Sequence, residues 1–286
     1  MRPLAASATA SMSVRLNSTA AVTVPDDLRP QAVELADGKI KTLLGEFDVN
    51  APPANIRPEL WTMYVAMLRR MTPGVVWQLK QRSLNWILFH AQNREELDMA
   101  FTMAEQWRAR PLPITQTTTL LWVRACIRAK YPEIFMKMLL DRWKYRQMPV
   151  SLTLAHFIRS LGSLAAESGS DVETLLDDAF RVFALYPYYD IAYDADAYGA
   201  LVEACCEINT DEAWRRALLA SEETLAHETP MITLEALRAL ERRSTERGES
   251  EMAERYGSLA KRSDIPAAGK LPAEYDEYGL PTVAFD

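Results

Sequence analysis

Residues 82–149 read RSLNWILFHAQNREELDMAFTMAEQWRARPLPITQTTTLLWVRACIRAKYPEIFMKMLLDRWKYRQMP, and this stretch decides the fold. Trp86 and Trp122 stand 36 residues apart, as do Trp107 and Trp143, Arg110 and Arg146, and Pro113 and Pro149. Tryptophan is rare, so two pairs that share a spacing with an Arg and a Pro mark an internal repeat. Leu97–Trp107 and Ile134–Trp143 carry apolar residues at helical spacing, and Pro111, Pro113 and Pro149 punctuate them. The predicted unit is a helix holding Trp86 or Trp122, a turn, a second helix ending near Trp107 or Trp143, and a proline-bearing linker.

Further out, Val123-Arg124-Ala125-Cys126 meets Val202-Glu203-Ala204-Cys205 without a gap at an offset of 79 residues. Two units of 36 explain most of that offset, and Gly162–Gly169 reads as a loop that absorbs the remaining seven. Leu234–Leu240, Gly248 and Met252–Leu259 form a weaker, more polar hairpin, suited to a terminal cap. The expectation is an all-α chain, a right-handed α-solenoid of stacked helical hairpins. Its parts are a leader over 1–24, an extension with a short helix over 25–57, the repeat domain over 58–262, and a carboxyl-terminal extension over 263–286.

Leu201-Val202-Glu203-Ala204-Cys205 followed by Asp211-Glu212-Ala213, with Trp122-Val123-Arg124-Ala125-Cys126 as a second match, resembles the pentatricopeptide repeat family. The likeness covers about residues 82–228. It implies hairpins of about 35 residues and, in base-reading members, a polar side chain just before the apolar pair of the first helix. That position maps to Asn85, Leu121 and Ala200. Asn85 alone of the three could hydrogen-bond a base edge, so the resemblance implies a repeat scaffold without a full base code.

The chain is 49% hydrophobic and 25% charged, an ordinary globular composition, and its longest nearly apolar stretch, Leu60–Leu68, is too short to span a bilayer. Residues 1–24 contain Arg2 and Arg15, no Asp or Glu, and many Ala, Ser and Thr, the composition of a mitochondrial transit peptide. Its removal would take the formal charge from −7 to −9. The charge is divided. Residues 107–146 hold nine basic side chains, Arg108, Arg110, Arg124, Arg128, Lys130, Lys137, Arg142, Lys144 and Arg146, against two acidic ones. Residues 167–286 hold 26 acidic and 11 basic residues. Such asymmetry fits two different partners, and a basic tract can neutralise phosphates without reading bases.

Catalytic patterns are missing: there is no glycine-rich phosphate loop, no Gly-x-Ser-x-Gly elbow and no His-Glu-x-x-His helix. His90, His156 and His227 lie in separate segments, and Cys126 and Cys205 share a repeat position that suits a small packed side chain. No enzyme, cofactor, metal or small-molecule substrate is expected. The expected function is a structural component of the mitochondrial ribosome in the matrix, of the small subunit, contacting rRNA and neighbouring proteins through the nine basic residues and Asn85. A mitochondrial RNA-binding factor for messenger stability or translation, and a respiratory-complex assembly adaptor that binds protein alone, are the alternatives.

Overall fold

The computed structural model describes residues 35–36, 39–42, 45–48, 52–71, 79–109, 112–167, 171–227, 230–272 and 275–276. The leader lies outside them. Where the sequence suggested a short helix, three strands form an antiparallel meander: β1 (Leu35–Ala36), β2 (Lys39–Thr42) and β3 (Gly45–Asp48), with Ile40 opposite Phe47. The reason is local. Lys-Ile-Lys-Thr and Gly-Glu-Phe-Asp alternate with a period of two and carry β-branched or aromatic residues, a pattern that favours pleated strands.

From Pro58 to Leu259 the described chain is built of helices and short connections. After α1 (Pro58–Arg70) come five hairpins: α2 (Gln81–His90) with α3 (Arg94–Ala109), α4 (Gln116–Arg128) with α5 (Glu133–Leu140) and α6 (Arg142–Tyr145), α7 (Ser151–Glu167) with α8 (Val172–Ala184), α9 (Ala195–Glu207) with α10 (Asp211–Leu225), and α11 (Leu234–Glu246) with α12 (Ser250–Leu259). Starts are set by side-chain caps on Thr115, Asp194, Thr210 and Thr233, each accepting from the backbone N–H three residues on. Such a cap contributes about 1 kcal/mol.

First helices also pack on first helices: α2 on α4, α4 on α7, α7 on α9, and α9 on α11. One continuous core therefore runs from Leu60 to Ile265, because no hairpin can cover its apolar stripe alone. Close approach of α7 and α9 depends on Gly162, where an added Cβ would stand 2.5 Å from Ala204 Cα. Gly162 is thus buried inside α7 and not in a loop, which corrects the start of the expected Gly162–Gly169 loop; residues 168 and 169 lie outside the described residues.

First helices begin at Gln81, Gln116, Ser151, Ala195 and Leu234, which are 35, 35, 44 and 39 residues apart. The 79-residue echo is the true spacing of α4 and α9, and Cys126 and Cys205 are each the eleventh residue of their helix. Both thiols are buried, and burial pushes that of Cys205 up to about 12. The longer third unit arises from α7, four residues longer than α4, and from a 3-10 turn at Pro187–Tyr189.

Candidate docking groove at the α5–α6 break

The basic tract is mostly mortar between hairpins. Arg128 donates to Phe89 O at 2.8 Å and Leu88 O at 3.2 Å, satisfying the carboxyl end of α2. Lys130 pairs with Glu167 at 2.6 Å, and Lys137 lies 4.8 Å over the Phe101 ring. Lys144 reaches Glu105 at 2.8 Å, and the Tyr145 hydroxyl donates to the same carboxylate at 3.0 Å. Burial raises the pKa of Glu105, but these two hydrogen bonds outweigh it and the net shift is downward. Arg124 turns to the carboxyl-terminal segment, donating to Pro272 O at 2.8 Å. Arg110 lies outside the described residues.

Asn85 does not face a ligand. It is 1% exposed, and its Oδ1 accepts from the Thr118 hydroxyl at 2.8 Å across the α2–α4 contact. Leu121 and Ala200 are fully buried as well. The position assigned to base reading by family resemblance is therefore inside the stack at all three sites, and the Asn85 expectation is corrected: a carboxamide there satisfies a neighbouring hydroxyl.

The exception to this internal use is the short segment after α5. The helix stops at Leu140, and Asp141 leaves helical geometry (φ −111°, ψ 72°) and caps the next turn by accepting from Lys144 N at 2.9 Å. That break sends Tyr145 inward against Phe101 and turns Trp143 outward, 82% exposed. Trp143 therefore does not pack between hairpins, whereas Trp107, at the matching repeat position, is fully buried with its indole N–H on Pro113 O at 2.9 Å.

Trp143 stands on an open groove of about 580 Å³ lined also by Arg108, Ile114, Arg142, Arg146 and Met148. Arg142 is anchored by Asp190 at 3.0 Å and by Tyr188 O. Arg108 donates to Leu112 O at 2.7 Å, a neutral acceptor that leaves its charge uncancelled. Burial, then the Arg146 charge, pull the Arg108 guanidinium below its usual pKa. The Arg146 side chain is exposed and makes no hydrogen bond or ion pair with a described residue. Its backbone is left-handed, φ +47°, where most side chains are disfavoured.

Converging guanidinium groups beside an exposed indole can hold a phosphate backbone and stack one base, without a base-edge code. Among the described residues no cluster of His, Cys, Asp or Glu is arranged to hold a metal, and no helix is long and apolar enough to cross a membrane. No protein family, curated protein or solved structure matches the chain.

Proposed function

We propose that this chain is a right-handed solenoid scaffold of the mitochondrial ribosome, of its small subunit, that holds rRNA against neighbouring proteins. The observation that carries the RNA contact is the exposure of Trp143 beside Arg108 and Arg146, with Arg142 held on the same groove by Asp190, on a tract whose other described cations are spent on neighbouring hairpins or the carboxyl-terminal segment. Contact is with backbone phosphates and one unstacked base. The matrix address rests on the leader composition, with Arg2 and Arg15 and no acidic residue over 1–24.

The test is co-sedimentation of the full chain with small ribosomal subunits at moderate salt, comparing wild type with Trp143→Ala combined with Arg146→Glu. Loss of association with unchanged helicity is the expected result. Equal association of wild type and variant would remove the groove from the interface. A second reading, a protein-only adaptor, is favoured by the exposed Met148 in the same groove and by the exposure of Leu140 and Tyr188, which lie close to Asp141 and Asp190 in sequence. Association that survives RNase but is lost on Leu140→Ser with Met148→Ser would select it.

A further inference from the structure

On the first-helix row, away from the groove, the chain carries its own ligand. After α12 the backbone turns back and runs across the first helices in reverse order. Pro266 O accepts from Leu234 N at 2.9 Å, at the start of α11. Ala268 N donates to Glu235 Oε2 at 2.7 Å, and Gly269 N to Asp196 Oδ1 at 2.9 Å, reaching α9. An added Cβ at Gly269 would lie 2.9 Å from Leu152 Cδ1 of α7, so the segment is close-packed there. Pro272 O then takes the Arg124 hydrogen bond on α4, and Arg124 Cζ stands 4.2 Å over the Tyr275 ring. Tyr275 also meets Phe89 of α2, with ring centroids 6.1 Å apart, and Asp276 lies 3.8 Å from Arg82.

We propose that this row is a docking groove for an extended peptide carrying an aromatic residue followed by a carboxylate. The chain's own residues 266–272 and 275–276 hold the groove in cis and exchange with a partner segment of that chemistry. Three features carry this. Recognition runs through main-chain atoms, Ala268 N, Gly269 N and Pro272 O, which any extended peptide offers. Among the described residues, side-chain selection falls on Gly269, where a Cβ would meet Leu152 and Asp196, on one ring at Arg124 and on one acid near Arg82. The fit of the resident is incomplete, because the Tyr275 hydroxyl is buried with no hydrogen-bond partner among the described residues, a group that would be satisfied in a segment selected only for tight closure. Tethering raises the effective concentration of the resident to about the millimolar range, so a free peptide enters only when the resident is weakened or displaced.

The probe is a labelled synthetic peptide with the sequence of residues 266–286, titrated into the full chain and followed by fluorescence anisotropy. Tyr275→Ala in the full chain is expected to bind the probe at least about tenfold more tightly than wild type. Arg124→Ala added to that variant is expected to abolish binding while circular dichroism stays unchanged, and a probe with Ala in place of Tyr275 is expected to bind neither protein. Equal binding by wild type and Tyr275→Ala, no binding by either, or indifference to Arg124→Ala would overturn the proposal. Dimers of the Tyr275→Ala chain that compete with the probe would replace the foreign partner by a second copy.

Discussion

Trp107 is the fourteenth residue of a sixteen-residue helix and is fully buried, whereas Trp143, 36 residues on, is 82% exposed in a helix of four residues. An Arg or Lys follows each, and a proline stands six residues after each. The two ends differ in one physical event. α3 continues unbroken to Ala109, while the second helix of the next hairpin stops at Leu140 and restarts after the Asp141 cap. A residue taken out of helical geometry resets the phase of every side chain beyond it, so Tyr145 goes in and Trp143 goes out. The two ends show that position in a repeat fixes burial only while the helix is continuous. At the break, an aromatic side chain is freed for a different use.

The largest expected effect separates the two rings. Trp107→Ala is expected to cost about 3 to 5 kcal/mol, since it empties a closed site and orphans Pro113 O, while Trp143→Ala should stay within about 0.5 kcal/mol. Urea unfolding followed by circular dichroism measures both. Comparable losses would mean that Trp143 is a core residue after all.

Next in size is the acid response, which contrasts the enclosed cations with those of the open groove. His156 sits on α7 in the crevice that holds Arg124, and burial, then the charges of Arg124 and Arg159, push it down to about 4. The unfolded chain binds this proton near pH 6.5 and the folded chain does not, so stability present above pH 6.5 is lost as pH falls toward 4. The loss from this one group is about 3 kcal/mol. His156→Gln should flatten that part of the stability profile. Arg142→Gln and Arg146→Gln, in the exposed groove, should leave its slope unchanged.

Asn85→Ala comes third, with an expected loss of about 1 to 3 kcal/mol from leaving the Thr118 hydroxyl without its acceptor in the α2–α4 contact. RNA binding should be unaffected at a temperature where the variant is folded. Loss of one transcript with no loss of stability would restore the base-reading role.

Helical content, hairpin order and the polar last hairpin were legible because each rests on local periodicity and capping. Thr115, Asp194, Thr210 and Thr233 announce helix starts, and the 79-residue echo coincides with the α4–α9 spacing. The 36-residue Trp offset is one residue longer than the first-helix spacing, so Trp86 is sixth in α2 and Trp122 seventh in α4. One position is about 100° of helix rotation. Trp86 accordingly lies half-buried against His90, and Trp122 is fully enclosed. The candidate site was half legible. Its charges stood out, but which guanidiniums are consumed by carbonyls and carboxylates of the next hairpin depends on contacts 36 to 48 residues away. The signal available for the break was Asp141 itself, a capping residue set between Leu140 and Arg142.

The smallest stability effect carries the sharpest test of the groove, because its sign is opposite to its effect on binding. Arg146 and Lys130 both follow helix ends with positive φ, +47° and +50°, a conformation glycine adopts without a Cβ penalty. Arg146→Gly and Lys130→Gly are each expected to be neutral or to stabilise the fold by up to about 1 kcal/mol. Lys130 already spends its charge on Glu167, and its replacement should leave ribosome association unchanged. Arg146 has its charge free for the groove, so Arg146→Gly should weaken association and reduce the salt dependence by about one phosphate contact. A non-glycine residue kept at a strained position in spite of its energetic cost is then explained by the ligand it holds. If the two glycine variants bind alike, the strain at Arg146 has no functional counterpart, and the contrast between the α3 and α6 ends is one of packing alone.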